Sequence, residues 1–91
     1  MKIPKSQKDL NKMGITRRRF RRMAWYLKRE GELDGLTRLE KVALIVDELA
    51  CFDCRVPTRR MAASDGWDWD KFLEAIDKIM KWVMRILEFL D

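Results

Sequence analysis

From Trp69 to Leu90 the apolar side chains recur at steps of three and four: Trp69, Phe72, Leu73, Ile76, Ile79, Met80, Val83, Ile86, Leu87 and Leu90. That step matches the turn of an α-helix, about 3.6 residues, and conflicts with the two-residue alternation of a half-buried strand. The same rhythm recurs upstream. With Phe20 as origin and about 100° per residue, Met23, Ala24 and Leu27 fall within about 60° of it. Leu39, Val42, Ala43, Val46, Leu49 and Ala50 share a face in the same way. Only Arg55-Val56 could form a short extended piece, so the chain reads as an all-α domain of four to five helices.

Local signals set the boundaries. Residues 1–14 read as a basic, flexible leader, with room for a short helix over 6–13 that Gly14 breaks. Thr16 is a fitting N-cap for a helix to about residue 30, and Gly31 supplies its stop. Thr37-Arg38-Leu39-Glu40 is a capping box, in which the Thr37 hydroxyl accepts the Glu40 N–H and the Glu40 carboxylate reaches back to Thr37. The helix it opens runs to about Cys51 and ends before Pro57, which forces Val56 towards an extended conformation. Thr58 then caps a short helix to about Ser64, Gly66 marks a turn, and a long helix fills 68–90. Residues 15–91 thus form a single helical domain.

The last helix is apolar over too wide an arc. Ala75, Trp82 and Phe89 add a stripe beside the seam and Met84 widens the other side, giving about 220° where one core face needs ~100°. Such a helix lies centrally in its fold or meets a second chain. Trp69, Ala75, Trp82 and Phe89 are therefore the candidate partner interface, for a homodimer through 68–90 or for a host protein.

Charge is distributed unevenly. The net charge of the 91 residues is +5, but residues 1–30 hold eleven Lys/Arg against two acids, while residues 65–91 hold four against seven. The basic head is concentrated in Thr16-Arg17-Arg18-Arg19-Phe20-Arg21-Arg22-Met23-Ala24-Trp25-Tyr26-Leu27-Lys28-Arg29. Opposite the Phe20 stripe fall Arg18, Arg21, Arg22 and Arg29, with Trp25 in their midst. Guanidinium groups pair with phosphate while an exposed ring offers a stacking surface, so the pattern suits a nucleic acid. The alternative is a solvated basic face, or one neutralised by acids elsewhere in the fold. The candidate nucleic-acid contacts are Arg17, Arg18, Arg21, Arg22, Trp25, Arg29, Arg59 and Arg60, supplemented by Arg55 and by Lys2, Lys5, Lys8 and Lys12.

Other function classes are disfavoured by what the chain lacks. It has no histidine, so Ser/His and Cys/His nucleophile pairs are impossible, and no Gly-rich phosphate loop is present. No catalytic residue, metal ligand or cofactor is assigned. Cys51-Phe52-Asp53-Cys54 is half a zinc site at most within one chain, although two chains could pool four thiolates. The run Val42–Val46 is far short of the roughly twenty apolar residues a membrane span requires. Thr16-Arg17-Arg18-Arg19-Phe20 is not a twin-arginine export signal, because Arg21, Arg22, Lys28 and Arg29 follow where an apolar stretch belongs. A cytoplasmic or nucleoid-associated location is expected.

Residues 58–76 resemble the helix-turn-helix family, in its winged-helix-like form. Ala62 stands where that family has a small residue in its first helix, Gly66 stands four positions later at the turn, and Met61, Trp67, Phe72 and Ile76 occupy the apolar positions. Helix 38–51 would be the supporting helix. The resemblance implies DNA binding, with the second helix in the major groove. The chain departs from it at the start of that helix, where Asp68 and Asp70 would face phosphate, with Glu74 and Asp77 further on. The expected function is thus nucleic-acid binding through the basic helix 16–30, as in a small phage or mobile-element regulator. The alternative is a protein-binding module or inhibitor that docks through its Trp-rich stripe and basic helix.

Overall fold

Helices start in this chain where a short polar side chain can close the free N–H groups of a first turn. The computed structural model describes residues 3–53, 58, 66 and 68–90, apart from the side chains of Phe52, Asp53, Val83, Met84, Phe89 and Leu90. Within them five helices follow one another: α1 (Gln7–Lys12), α2 (Arg17–Arg29), α3 (Arg38–Asp53), α4 (Trp69–Ile79) and α5 (Val83–Leu90). No strand occurs among the described residues. Thr16 Oγ1 accepts the Arg19 N–H at 3.1 Å and opens α2. The capping box forms in full at α3, with Glu40 N–H donating to Thr37 Oγ1 at 3.2 Å and Thr37 N–H donating to Glu40 Oε1 at 3.0 Å. Asp68 opens α4 by accepting the Lys71 N–H at 3.1 Å.

Two helices stop on glycine. After α1, Gly14 adopts φ 87° and lets Ile15 N–H donate to Leu10 O at 2.9 Å while its own N–H donates to Asn11 O at 3.0 Å. After α2, Gly31 at φ 76° repeats the arrangement, with Glu32 N–H on Leu27 O and Gly31 N–H on Lys28 O. This paired bond pattern needs a left-handed residue after the last helical turn, a conformation that a Cβ opposes.

Phe20, Leu10, Val42, Ile45, Phe72 and Ile76 are fully buried and form the centre of one core. Burying each such side chain contributes about 1.5–3 kcal/mol. The stripe expected on α2 is recovered, with Phe20, Ala24 and Leu27 buried and Met23 packed against them. Helix α2 packs on α3 and on α5, and α4 packs on α3. Arg38 Nη2 and Asp77 Oδ2, 3.0 Å apart, tie the start of α3 to α4.

Three expectations are corrected. The flexible leader is part of the domain from Ile3 onward, because Leu10 of α1 lies in the core together with Ile15 and Pro4 is buried. The long helix over 68–90 is two helices. At Met80 the backbone leaves the helical region (φ −93°, ψ 69°), and residues 81–82 turn before α5 begins. A continuous helix of that span would be about 35 Å long, against a longest molecular extent of 33 Å. The turn buries Met80 and lets α4 rest on α3 while α5 reaches α2. The wide apolar arc is thus divided between two helices that pack on different neighbours. Finally, Trp69 is a core residue, 8% exposed, rather than part of an outward stripe.

Of the helix-turn-helix expectation, Gly66 is described and has φ 71°, the left-handed conformation such a turn requires. The expected first helix over 58–64 and the positions Met61, Ala62 and Trp67 lie outside the described residues, apart from Thr58.

Candidate nucleic-acid interface

The arginine face is built by the burial of its opposite side. With Phe20, Ala24 and Leu27 held in the core, Arg18, Arg21, Arg22 and Arg29 are fixed outward, and all four are exposed. Trp25 stands among them at 55% exposed, and Arg29 Cζ lies 5.5 Å from its ring centroid. A guanidinium at that distance is attracted by the electron-rich face of the indole. The stack restrains both side chains without neutralising the charge.

At its edge the face is completed by α5. An open groove of about 500 Å³ runs between α2 and α5, lined by Arg17, Arg18, Arg21, Arg22, Trp25, Arg85 and Ile86. No Asp or Glu is among the described residues that line it. Trp82 holds the two helices in place: its ring meets Phe20 edge-on at 5.7 Å and 82°, and Arg17 Cζ lies 5.7 Å over it. Arg17 thereby belongs at once to the groove and to the α2–α5 contact.

Among the described residues no ion pair involves Arg17, Arg18, Arg21, Arg22, Arg29 or Arg85. Six cations on one surface with no carboxylate against them repel one another, and an anion arriving there relieves that repulsion. Two carboxylates of the C-terminal half are engaged elsewhere, Asp68 capping α4 and Asp77 on Arg38. The Glu40 carboxyl is held below the ordinary carboxylate value, first by the Thr37 backbone N–H and then by the Thr37 hydroxyl.

Of the eight residues expected to contact nucleic acid, Arg17, Arg18, Arg21, Arg22, Trp25 and Arg29 are brought together, while Arg59 and Arg60 lie outside the described residues, as does Arg55. Lys5, Lys8 and Lys12 are exposed but do not line the groove, and Lys2 lies outside the described residues. The residues expected to form a partner interface are dispersed. Trp69 is buried, Trp82 is half-buried against Phe20, Ala75 is half-buried, and the Phe89 side chain is outside the described set. Arg85 is an addition that sequence reasoning missed. Tyr26, 55% exposed, adjoins Trp25 without lining the groove. Arg85 lies in a segment of negative net charge and joins the face only through the turn at residues 80–82.

Cys51 is exposed and Cys54 lies outside the described residues. No helix among the described residues is long and apolar enough to cross a membrane. Comparison of the chain with protein-family models, with curated proteins and with solved structures finds no match.

Proposed function

We propose that the protein binds nucleic acid, gripping the phosphate backbone with Arg17, Arg18, Arg21, Arg22 and Arg29 of α2 and Arg85 of α5. The observation that carries this reading is the set of five guanidiniums lining one open groove, with Arg29 stacked on the exposed indole beside them and none of the six in an ion pair among the described residues. Arginine donors suit phosphate oxygens, and Trp25 offers a flat apolar surface to a base or a sugar. Contacts of this kind position a polyanion and carry little sequence information. Helix α4, the one a helix-turn-helix would insert in the major groove, begins with Asp68 and Asp70, and its exposed Glu74 adds a third carboxylate. Base readout by α4 is accordingly no part of this proposal.

Fluorescence anisotropy with labelled duplex DNA and single-stranded RNA tests the reading. Arg18→Glu combined with Arg22→Glu is expected to weaken binding by at least about a hundredfold, since two attractive contacts become repulsive. Both positions are exposed, so the circular dichroism of the variant should match the parent. Unchanged affinity in a folded variant would overturn the proposal. The competing reading, a protein-docking module built on the Trp stripe, has lost Trp69 to the core and has Trp82 packed on Phe20.

A further inference from the structure

A second groove, of about 490 Å³, lies between α3 and α4 and shares no lining residue with the arginine groove. Its chemistry is the reverse. Leu39, Leu44 and Leu73 give it an apolar lining, Glu32 and Asp70 give it negative charge, and no Lys or Arg is among the described residues that line it. Trp69 also lines it, and its buried indole N–H has no acceptor among the described residues. Leu39 is 48% exposed.

The large apolar residues left exposed among the described ones are Trp25, Tyr26 and Leu39. Two stand on the arginine-rich side of α2 and the third stands in the acidic groove. Charge and exposed apolar surface are therefore complementary between two separate faces of one chain. We infer that the α3–α4 groove receives the α2 face of a second copy of this protein, in a head-to-tail contact. Aromatic rings of one copy cover the leucines of the next, and its arginines meet Glu32 and Asp70. A contact between two different patches leaves one free patch of each kind on every pair, so it extends into rings or short chains instead of closing as a two-fold dimer. The inference does not depend on nucleic-acid binding, although a polyanion on α2 would compete with it.

Sedimentation velocity of the full chain over a range of concentrations tests it. Association is expected at low salt and should weaken by about tenfold or more at 0.5 M salt, roughly, where charges a few ångströms apart are screened. Glu32→Lys with Leu39→Arg alters the groove at two exposed positions that cap no helix, and Arg18→Glu with Arg22→Glu alters the face. Each variant alone should sediment as a monomer. Mixed, they should form a one-to-one complex through the intact groove of one and the intact face of the other. A wild type that stays monomeric at low salt would overturn the inference. So would a groove variant that associates like the parent, an association indifferent to salt, or a mixture that fails to pair.

Discussion

At the scale of single residues the chain is governed by hydrogen-bond closure at helix ends. Gly31 serves α2 through its φ of 76°, not through lack of space, since an added Cβ would meet Asp34 Oδ2 at an ordinary 3.5 Å. Gly31→Ala should therefore destabilise the fold by about 1–2 kcal/mol, the usual cost of left-handed backbone for a residue with a Cβ. Urea denaturation measures this, and an unchanged midpoint would refute the assigned role. Glu40 makes a pH-dependent contribution of the same local kind. Its folded-state pKa is depressed, so the stabilisation is complete above the ordinary carboxylate value and is lost as pH falls through the lower folded value. Glu40→Gln removes that titration, and its melting temperature should fall less than that of the parent on going from about pH 5.5 to about pH 2.5. Equal losses in thermal melts would show that the capping carboxylate is not coupled to folding. These features were legible in the sequence, because Thr16, Thr37, Asp68, Gly14 and Gly31 act on neighbours within five residues.

At the scale of elements, helix identity was legible and the course of the C-terminal segment was not. Neither Gly nor Pro stands between Trp69 and Leu90, and the apolar rhythm passes through Met80 without interruption. The turn at residues 80–82 is dictated by packing distant in sequence, where Met80 enters the core and Trp82 meets Phe20. Periodicity reports how many apolar residues a segment must bury, not how many neighbours share the burial. For the same reason the 220° arc, about twice what one face needs, could be read as a surface for a second chain. Trp82 is the residue on which the α2–α5 arrangement depends most visibly. Trp82→Ala removes an aromatic contact and part of a half-buried ring, and should destabilise the protein by about 2 kcal/mol. It should also loosen Arg17 and Arg85 from the groove, lowering affinity for nucleic acid even where the protein remains folded. Chemical denaturation and anisotropy on one preparation check both effects, and full affinity in the folded variant would detach α5 from the site.

At the scale of the whole molecule the decisive property is the separation of charge. The arginine face lies between α2 and α5, and the acidic groove lies between α3 and α4 with no lining residue in common. The α2 part of this arrangement was legible, because a helix with Phe20, Ala24 and Leu27 inward must turn Arg18, Arg21, Arg22 and Arg29 outward. The contribution of Arg85 was not, since only the folded chain brings α5 to α2. The most direct test of the account is the salt dependence of binding to duplex DNA, measured by anisotropy for the parent and for Arg85→Gln. With four to six arginines on phosphate, roughly, the logarithm of the association constant should fall against the logarithm of salt concentration with a slope of about −4 to −5. Arg85→Gln should make that slope shallower by about one. A slope near zero would contradict nucleic-acid binding through this face, and an unchanged slope in Arg85→Gln would contradict the place of α5 in it.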